Sequence, residues 1–181
     1  MKTSLSSLVV LSFVIIAFAC HPQPSVLTDA QKSAIADSAK AVAQDVARGL
    51  QKLDGPAVLA RCSSDIDARY VENGFVYSSY GAFKDSLFSD FSTLDSLSTQ
   101  IDALEVVVLG AETSVVTESF QFTAITKAGE EVEGKGVASM VVQLRAGRWQ
   151  IVQSHESELN VVSILDSASA NPSVVQKASK R

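Results

Sequence analysis

Three side chains in this sequence are suited to moving a proton or gripping a polar ligand: Glu118 in the run VVTESFQF, and His155 and Ser157 in the run RWQIVQSHES. Glu118 alternates with Val116, Phe120, Phe122 and Ala124, so in an extended chain it shares a largely apolar face. Desolvation there disfavours the charged carboxylate and lifts its pKa toward the range of a general acid or base. The plainer role for Glu118 is an ion pair at a strand end or at a dimer interface. Strict alternation from Trp149 puts Ile151, Gln153, His155 and Ser157 on one side, an indole floor leading to two hydrogen-bonding groups. The plainer role for His155 is a bond to a backbone carbonyl or to Ser157 that only shapes the strand end. Tyr70, Tyr77 and Tyr80 lie close together earlier in the chain, where their phenols either orient a ligand or pack with the hydroxyl satisfied.

Other chemistries are excluded by spacing. Two histidines, His21 and His155, make no metal site, and no Cys/His pattern resembles a zinc motif. Gly134-Lys135-Gly136 lacks the spacing of a phosphate loop and lies in a strand pattern, where glycine is expected to mark a bulge. There is no G-x-S-x-G elbow, and nothing calls for a cofactor. The chain holds 15 basic and 20 acidic residues, a formal net charge of −5, and no basic stripe interleaved with aromatics, which argues against nucleic acid as a partner. Of two cysteines, Cys62 lacks the histidine or clustered cationic setting that lowers a thiol's pKa and reads as a buried apolar residue.

These groups need a scaffold and an address. Residues 1–19 read as an export signal: Lys2, an apolar run from Leu8 to Phe18, and small residues at Ala17 and Ala19 just before Cys20. The apolar run falls short of the roughly 20 residues that span a bilayer. The stretch resembles a bacterial lipobox, with Ala17 where Leu is usual. That implies lipid on Cys20, a short tether over 20–27, and a protein held in the cell envelope. In a Gram-negative cell this means the outer membrane or the periplasmic face; the alternative is a secreted protein. Residues 161–181, rich in Ser and Ala and ending basic, read as a poorly ordered tail.

Between tether and tail, one domain of residues 28–160 is expected. Thr28 with Gln31 three residues on is a capping-box pattern, and Ile35, Val42, Val46, Leu50 and Leu53 recur near helical spacing. Asp54-Gly55 stops this helix, and Pro56 suits the first turn of a short second one ending near Cys62. Asn73-Gly74 between ARYVE and FVYSSY predicts a two-residue hairpin, closed by Gly81. Phe83, Leu87, Phe88, Phe91 and Leu94 predict a third helix. From Ile101 four β-prone runs, broken at Gly110-Ala111, Ala128-Gly129 and Ala146-Gly147, predict an antiparallel meander. The order is α+β: a curved antiparallel sheet packed on three helices.

This order, together with the ending GRWQIVQSHES, resembles the nuclear transport factor 2-like superfamily and its SnoaL-like domains over about residues 28–160. The resemblance implies a cone-shaped sheet whose concave face holds a pocket, with the early hairpin at its wall. It leaves activity open, because superfamily members include enzymes, oligomerisation modules and binding proteins. The preferred expectation is a membrane-anchored, non-catalytic domain that binds a small apolar ligand through Tyr77, Tyr80, Phe120, Trp149, His155 and Ser157. The alternative is an acid–base enzyme, an isomerase, cyclase or dehydratase, using Glu118 or His155. A third expectation pairs two copies as a homodimer through the outer face of the sheet.

Overall fold

A computed structural model describes residues 26–160; the expected export signal, the expected lipid attachment at Cys20 and the expected tail lie outside the described residues. Helix α1, Asp29–Gln51, opens with the expected capping box: the Gln31 N–H donates to Thr28 Oγ1 and the Thr28 N–H donates to Gln31 Oε1. Its inner face buries Ala39, Val42 and Ala43. Small residues there let the helix approach the sheet. Near its end Gly49 meets helix α2, Gly55–Leu59, so closely that a Cβ would sit 2.8 Å from Val58 Cγ2. Asp54 caps α2 through the Ala57 N–H, and Pro56 occupies its first turn.

Strands β1, Arg69–Glu72, and β2, Phe75–Val76, are joined by Asn73-Gly74, both with positive φ (49° and 82°), the backbone a tight hairpin turn demands. Gly81 does not close this hairpin as expected. It lies inside helix α3, Tyr80–Thr93, which Ser79 caps through the Ala82 N–H. Leu94 belongs not to α3 but to β3, Leu94–Gly110, which begins seven residues before Ile101. Leu94, three residues after Phe91, continues the helical spacing by coincidence; within β3 register shifts lie between Leu94 and Ser96 and between Ile101 and Ala103. Each extra residue turns a two-residue step into three and bends the strand.

Strands β3, β4 (Thr113–Thr126), β5 (Glu131–Arg145) and β6 (Arg148–Asn160) form the antiparallel meander. The sheet order is β2-β1-β6-β5-β4-β3, and β1 lies parallel to β6, so the curved six-stranded sheet is mixed rather than wholly antiparallel. Distant segments meeting in parallel leave no local sequence signal. Helix α1 crosses β3 and β4, and α3 faces α2 and β1, so the helices cover the concave face. The core joins Ala39, Val42 and Ala43 to Tyr70, Val116, Met140, Val142 and Ile151. The Tyr70 hydroxyl donates to the carbonyls of Ser63 (2.7 Å) and Ile151 (3.1 Å), and its ring stacks on Phe83 at 4.3 Å. Among the described residues no helix is long and apolar enough to cross a membrane.

Candidate functional site

Between the helices and the concave face lies a cavity of about 320 Å³. Its inner end is closed by buried Cys62, Tyr70, Ala138, Met140 and Ile151, while exposed Asp90 and Glu158 stand at its mouth. Phe120 and Phe122 of β4, Leu97 and Ile101 of β3, and Leu87 and Phe91 of α3 supply most of the wall. Five carboxylates line it, those of Glu72, Asp90, Glu118, Glu156 and Glu158, and among the described residues no lysine, arginine or histidine does.

Unbroken alternation places the β4 residues. Val116, Phe120 and Ala124 are buried, with Glu118 and Phe122 half-buried between them, and no register shift interrupts the β4–β5 ladder. Glu118 stands between Leu104 and Ala138 across the strands, neither with a side-chain donor. Its Oε2 is shut off from solvent without a hydrogen-bond partner, and burial pushes its pKa up to about 7.

Strand β6 follows a different rule. Val142 pairs with Ile151 and Val141 with Gln153, so Val152 is an extra residue, a bulge that re-phases everything after it. Its cause is a long-range contact. The Ile151 N–H donates to Arg61 O, and the Ile151 carbonyl accepts from the Ser63 N–H and the Tyr70 hydroxyl, drawing the strand toward residues 61–63. Beyond the bulge Ser154, Glu156 and Glu158 face the cavity. His155 and Ser157 are exposed on the opposite face, which corrects the expectation that they share a side with Trp149. Trp149 is half-buried against the core and does not line the cavity. Tyr80 likewise packs toward Tyr70, at 6.4 Å between ring centroids. Of the expected ligand contacts, Tyr77, Phe120 and the candidate base Glu118 reach the cavity; Tyr80, Trp149, His155 and Ser157 do not.

The acids at the mouth constrain one another. One carboxylate oxygen from each of Glu72, Glu156 and Glu158 lies within 4.8 Å of the others. Burial, then the charge of Glu158, raises the pKa of Glu156; burial also raises Glu72, opposed by the Tyr77 hydroxyl that donates to it at 2.7 Å. Their spacing would suit a divalent cation, but Glu72 and Glu156, with their raised pKa values, favour protons that compete with a metal. Cys62 is buried, and desolvation pushes its thiol up to about 12, so it is a packing residue of the inner end.

Residues 39–161 match the family model described as the SnoaL-like domain. The chain belongs to this family. The SnoaL-like domain is similar in fold to a nuclear transport factor 2-like superfamily protein from Salmonella enterica, with 16% identity, TM-score 0.65, and coverage of 70% of this chain and 92% of that one. It is similar as well to a ketosteroid isomerase-like protein from Erwinia carotovora atroseptica (21% identity, TM-score 0.59, 68% and 95% covered) and to a conserved protein from Planctomyces limnophilus (13%, 0.60, 71% and 99%). At these identities the likeness establishes the nuclear transport factor 2-like fold alone. Among curated proteins none matches the chain.

Sequence reasoning passed over Glu72, Asp90, Ser154, Glu156 and Glu158 of this SnoaL-like cavity. A signal for the last three was present: Ile151-Val152 sets two apolar residues side by side where a regular strand would alternate.

Proposed function

We propose that this SnoaL-like domain is a membrane-anchored receptor for a small, largely apolar, uncharged molecule bearing a hydrogen-bond donor. The observation that carries the reading is the Glu118 carboxyl, with one oxygen buried and unpartnered against apolar walls. A buried polar atom without a partner costs about 1–3 kcal/mol, and a ligand N–H or O–H would relieve that cost. The volume, about 320 Å³, sits at the lower end of small-molecule sites, which span roughly 300–1,000 Å³. With five acids and, among the described residues, no base on the wall, an anion finds no positive partner there and is repelled by every acid that ionises. Anchoring is proposed from the leader and Cys20, through acyl chains each contributing about 0.8 kcal/mol per buried methylene.

The test for binding uses a matched pair of fluorophores on the mature protein. N-phenyl-1-naphthylamine is neutral, apolar and carries one N–H; its 8-sulfonate has the same rings and donor with a negative charge. The neutral compound is expected to bind at least ten times more tightly, and equal affinity, or none, ends the reading. For the anchor, Cys20→Ala is expected to abolish incorporation of an alkynyl fatty acid in cells; retained labelling ends it.

A second reading, acid–base catalysis, is favoured by one observation: a carboxyl poised at about 7 in an apolar cavity, beside Glu156 raised toward its neutral, hydrogen-donating form. His155, exposed on the other face, has no access to that chemistry, so the enzyme reading rests on Glu118. Glu118→Gln would abolish turnover if it holds, whereas the receptor reading leaves no turnover to lose.

A further inference from the structure

Gly134 and Gly136 sit on the inward face of β5, in register with Phe122 and Phe120 of β4. The bulge expected there is absent: β5 pairs through this stretch on both sides without a register shift, and neither glycine has a positive φ. Backbone freedom is therefore not what they supply. A Cβ at position 136 would lie 2.4 Å from Phe120 Cζ and 2.9 Å from the Ser157 carbonyl oxygen; at 134 it would lie 2.5 Å from Phe122 Cζ and 3.0 Å from the Leu159 carbonyl oxygen. Both rings thus lie down across β5 onto bare Cα atoms, an aromatic ring covering a glycine on the neighbouring strand. The carbonyls belong to the β6 ladder and cannot retreat, so an added methyl must lift the ring. A ring lying down leaves the space above it open; a ring standing up fills it.

We propose that Gly134 and Gly136 are the specificity-determining residues of the cavity: by seating Phe122 and Phe120 flat they set its depth, and so admit two-ring molecules, meaning two linked aromatic units such as the phenyl and naphthyl of N-phenyl-1-naphthylamine, rather than only one-ring molecules. The proposal rests on the ligand-binding reading above and adds the size class. Gly136 has the larger effect, because Phe120 is the inward residue next to Glu118 and a lifted ring there covers the carboxyl. Phe122 lies one step farther along the strand.

The experiment compares wild type, Gly136→Ala, Gly134→Ala and Phe120→Leu/Gly136→Ala, all as mature protein. Two readouts are used: titration with N-phenyl-1-naphthylamine and with aniline, and crystals under xenon, which marks open apolar space without any ligand chemistry. Gly136→Ala is expected to weaken the two-ring compound at least tenfold and aniline less than threefold, with a smaller two-ring loss for Gly134→Ala. The double variant should return to within threefold of wild type, because Leu clears the new methyl, and xenon should vanish in Gly136→Ala and reappear in the double variant. Unchanged two-ring binding and unchanged xenon in Gly136→Ala overturn the proposal, as does a folded double variant that recovers neither. If wild type binds neither compound, the receptor reading fails while the xenon series still decides the role of the glycines. If Gly136→Ala does not fold, Phe120→Leu is compared with Phe120→Leu/Gly136→Ala: equality within threefold in whichever compound binds, or equal xenon occupancy, supports the proposal, and a tenfold gap or loss of xenon overturns it.

Discussion

Strands β4 and β6 both line the cavity, and both read in sequence as alternating strands, yet only β4 keeps its phase. From Val116 to Ala124 every second residue of β4 faces inward, because both its ladders hold it flat through that stretch apart from the shift opposite Ile101–Ala103, which belongs to β3. In β6 the extra Val152 exchanges the two faces midway, and the acid beside the expected histidine enters the cavity in its place. The lesson is that period-two reasoning holds only between bulges. A bulge is decided by what pulls on the backbone from elsewhere, here residues 61–63 and Tyr70.

Deleting Val152 is the sharpest way to break this contrast. The bulge goes and Gln153 follows Ile151 in plain alternation, so Ser154 and Glu156 stay inward and His155 outward, and the lost burial of Val152 is expected to cost about 2–3 kcal/mol in urea denaturation. A variant that turns His155 inward, seen as its protection from diethyl pyrocarbonate, would show that the bulge does not set the phase.

The next effect is on pH dependence. Glu118 in the folded chain holds its proton up to about pH 7, above its ordinary value of 4.5, so the folded state binds more protons than the unfolded one between these limits. Stability is therefore greatest below about pH 4.5 as far as this group is concerned and falls as pH rises through 7, by something on the order of 2 kcal/mol. Glu72, Asp90 and Glu156, also raised, act in the same direction. Glu118→Gln should flatten the part of the profile between about pH 5 and about pH 8. A slope unchanged by the substitution would mean that Glu118 ionises freely.

At fixed pH, Glu118→Gln is expected to weaken N-phenyl-1-naphthylamine about tenfold, the effect of exchanging an acceptor oxygen aimed at a donor for a weaker neutral one. Smallest of all is His155→Ala on the outer face. It should shift stability by no more than about 0.5 kcal/mol and leave affinity within twofold, as surface substitutions do. A large effect of His155→Ala with none from Glu118→Gln would reverse the roles assigned to β4 and β6.

How much was legible follows from how local each signal is. The capping box of Thr28 and Gln31, Pro56 at a helix start, and the Asn73-Gly74 turn are satisfied within a few residues, so their chemistry is complete in the chain itself. The inward face of β4, with Glu118 among aromatics, was legible for the same reason. Leu94 misled because it extends the Phe91 spacing by three residues although the chain has already turned into β3, and Gly134 and Gly136 misled because a glycine beneath a ring looks, in sequence, like a glycine in a bulge. Glu72 and Asp90 carried no mark at all, since only the parallel β1–β6 ladder and the placement of α3 bring them to the mouth.

By itself the sequence determined the α+β order, the starts of α1 and α2, the Asn73-Gly74 turn, and the apolar face bearing Glu118, because side-chain periodicity and capping act over a few residues. The tertiary structure alone decided which face of β6 looks inward, which acids share the cavity mouth, and that two glycines carry two phenylalanine rings. Those outcomes depend on backbone hydrogen bonds and ring contacts between segments distant in the chain, and the paired Ile151-Val152 is the one local trace they leave.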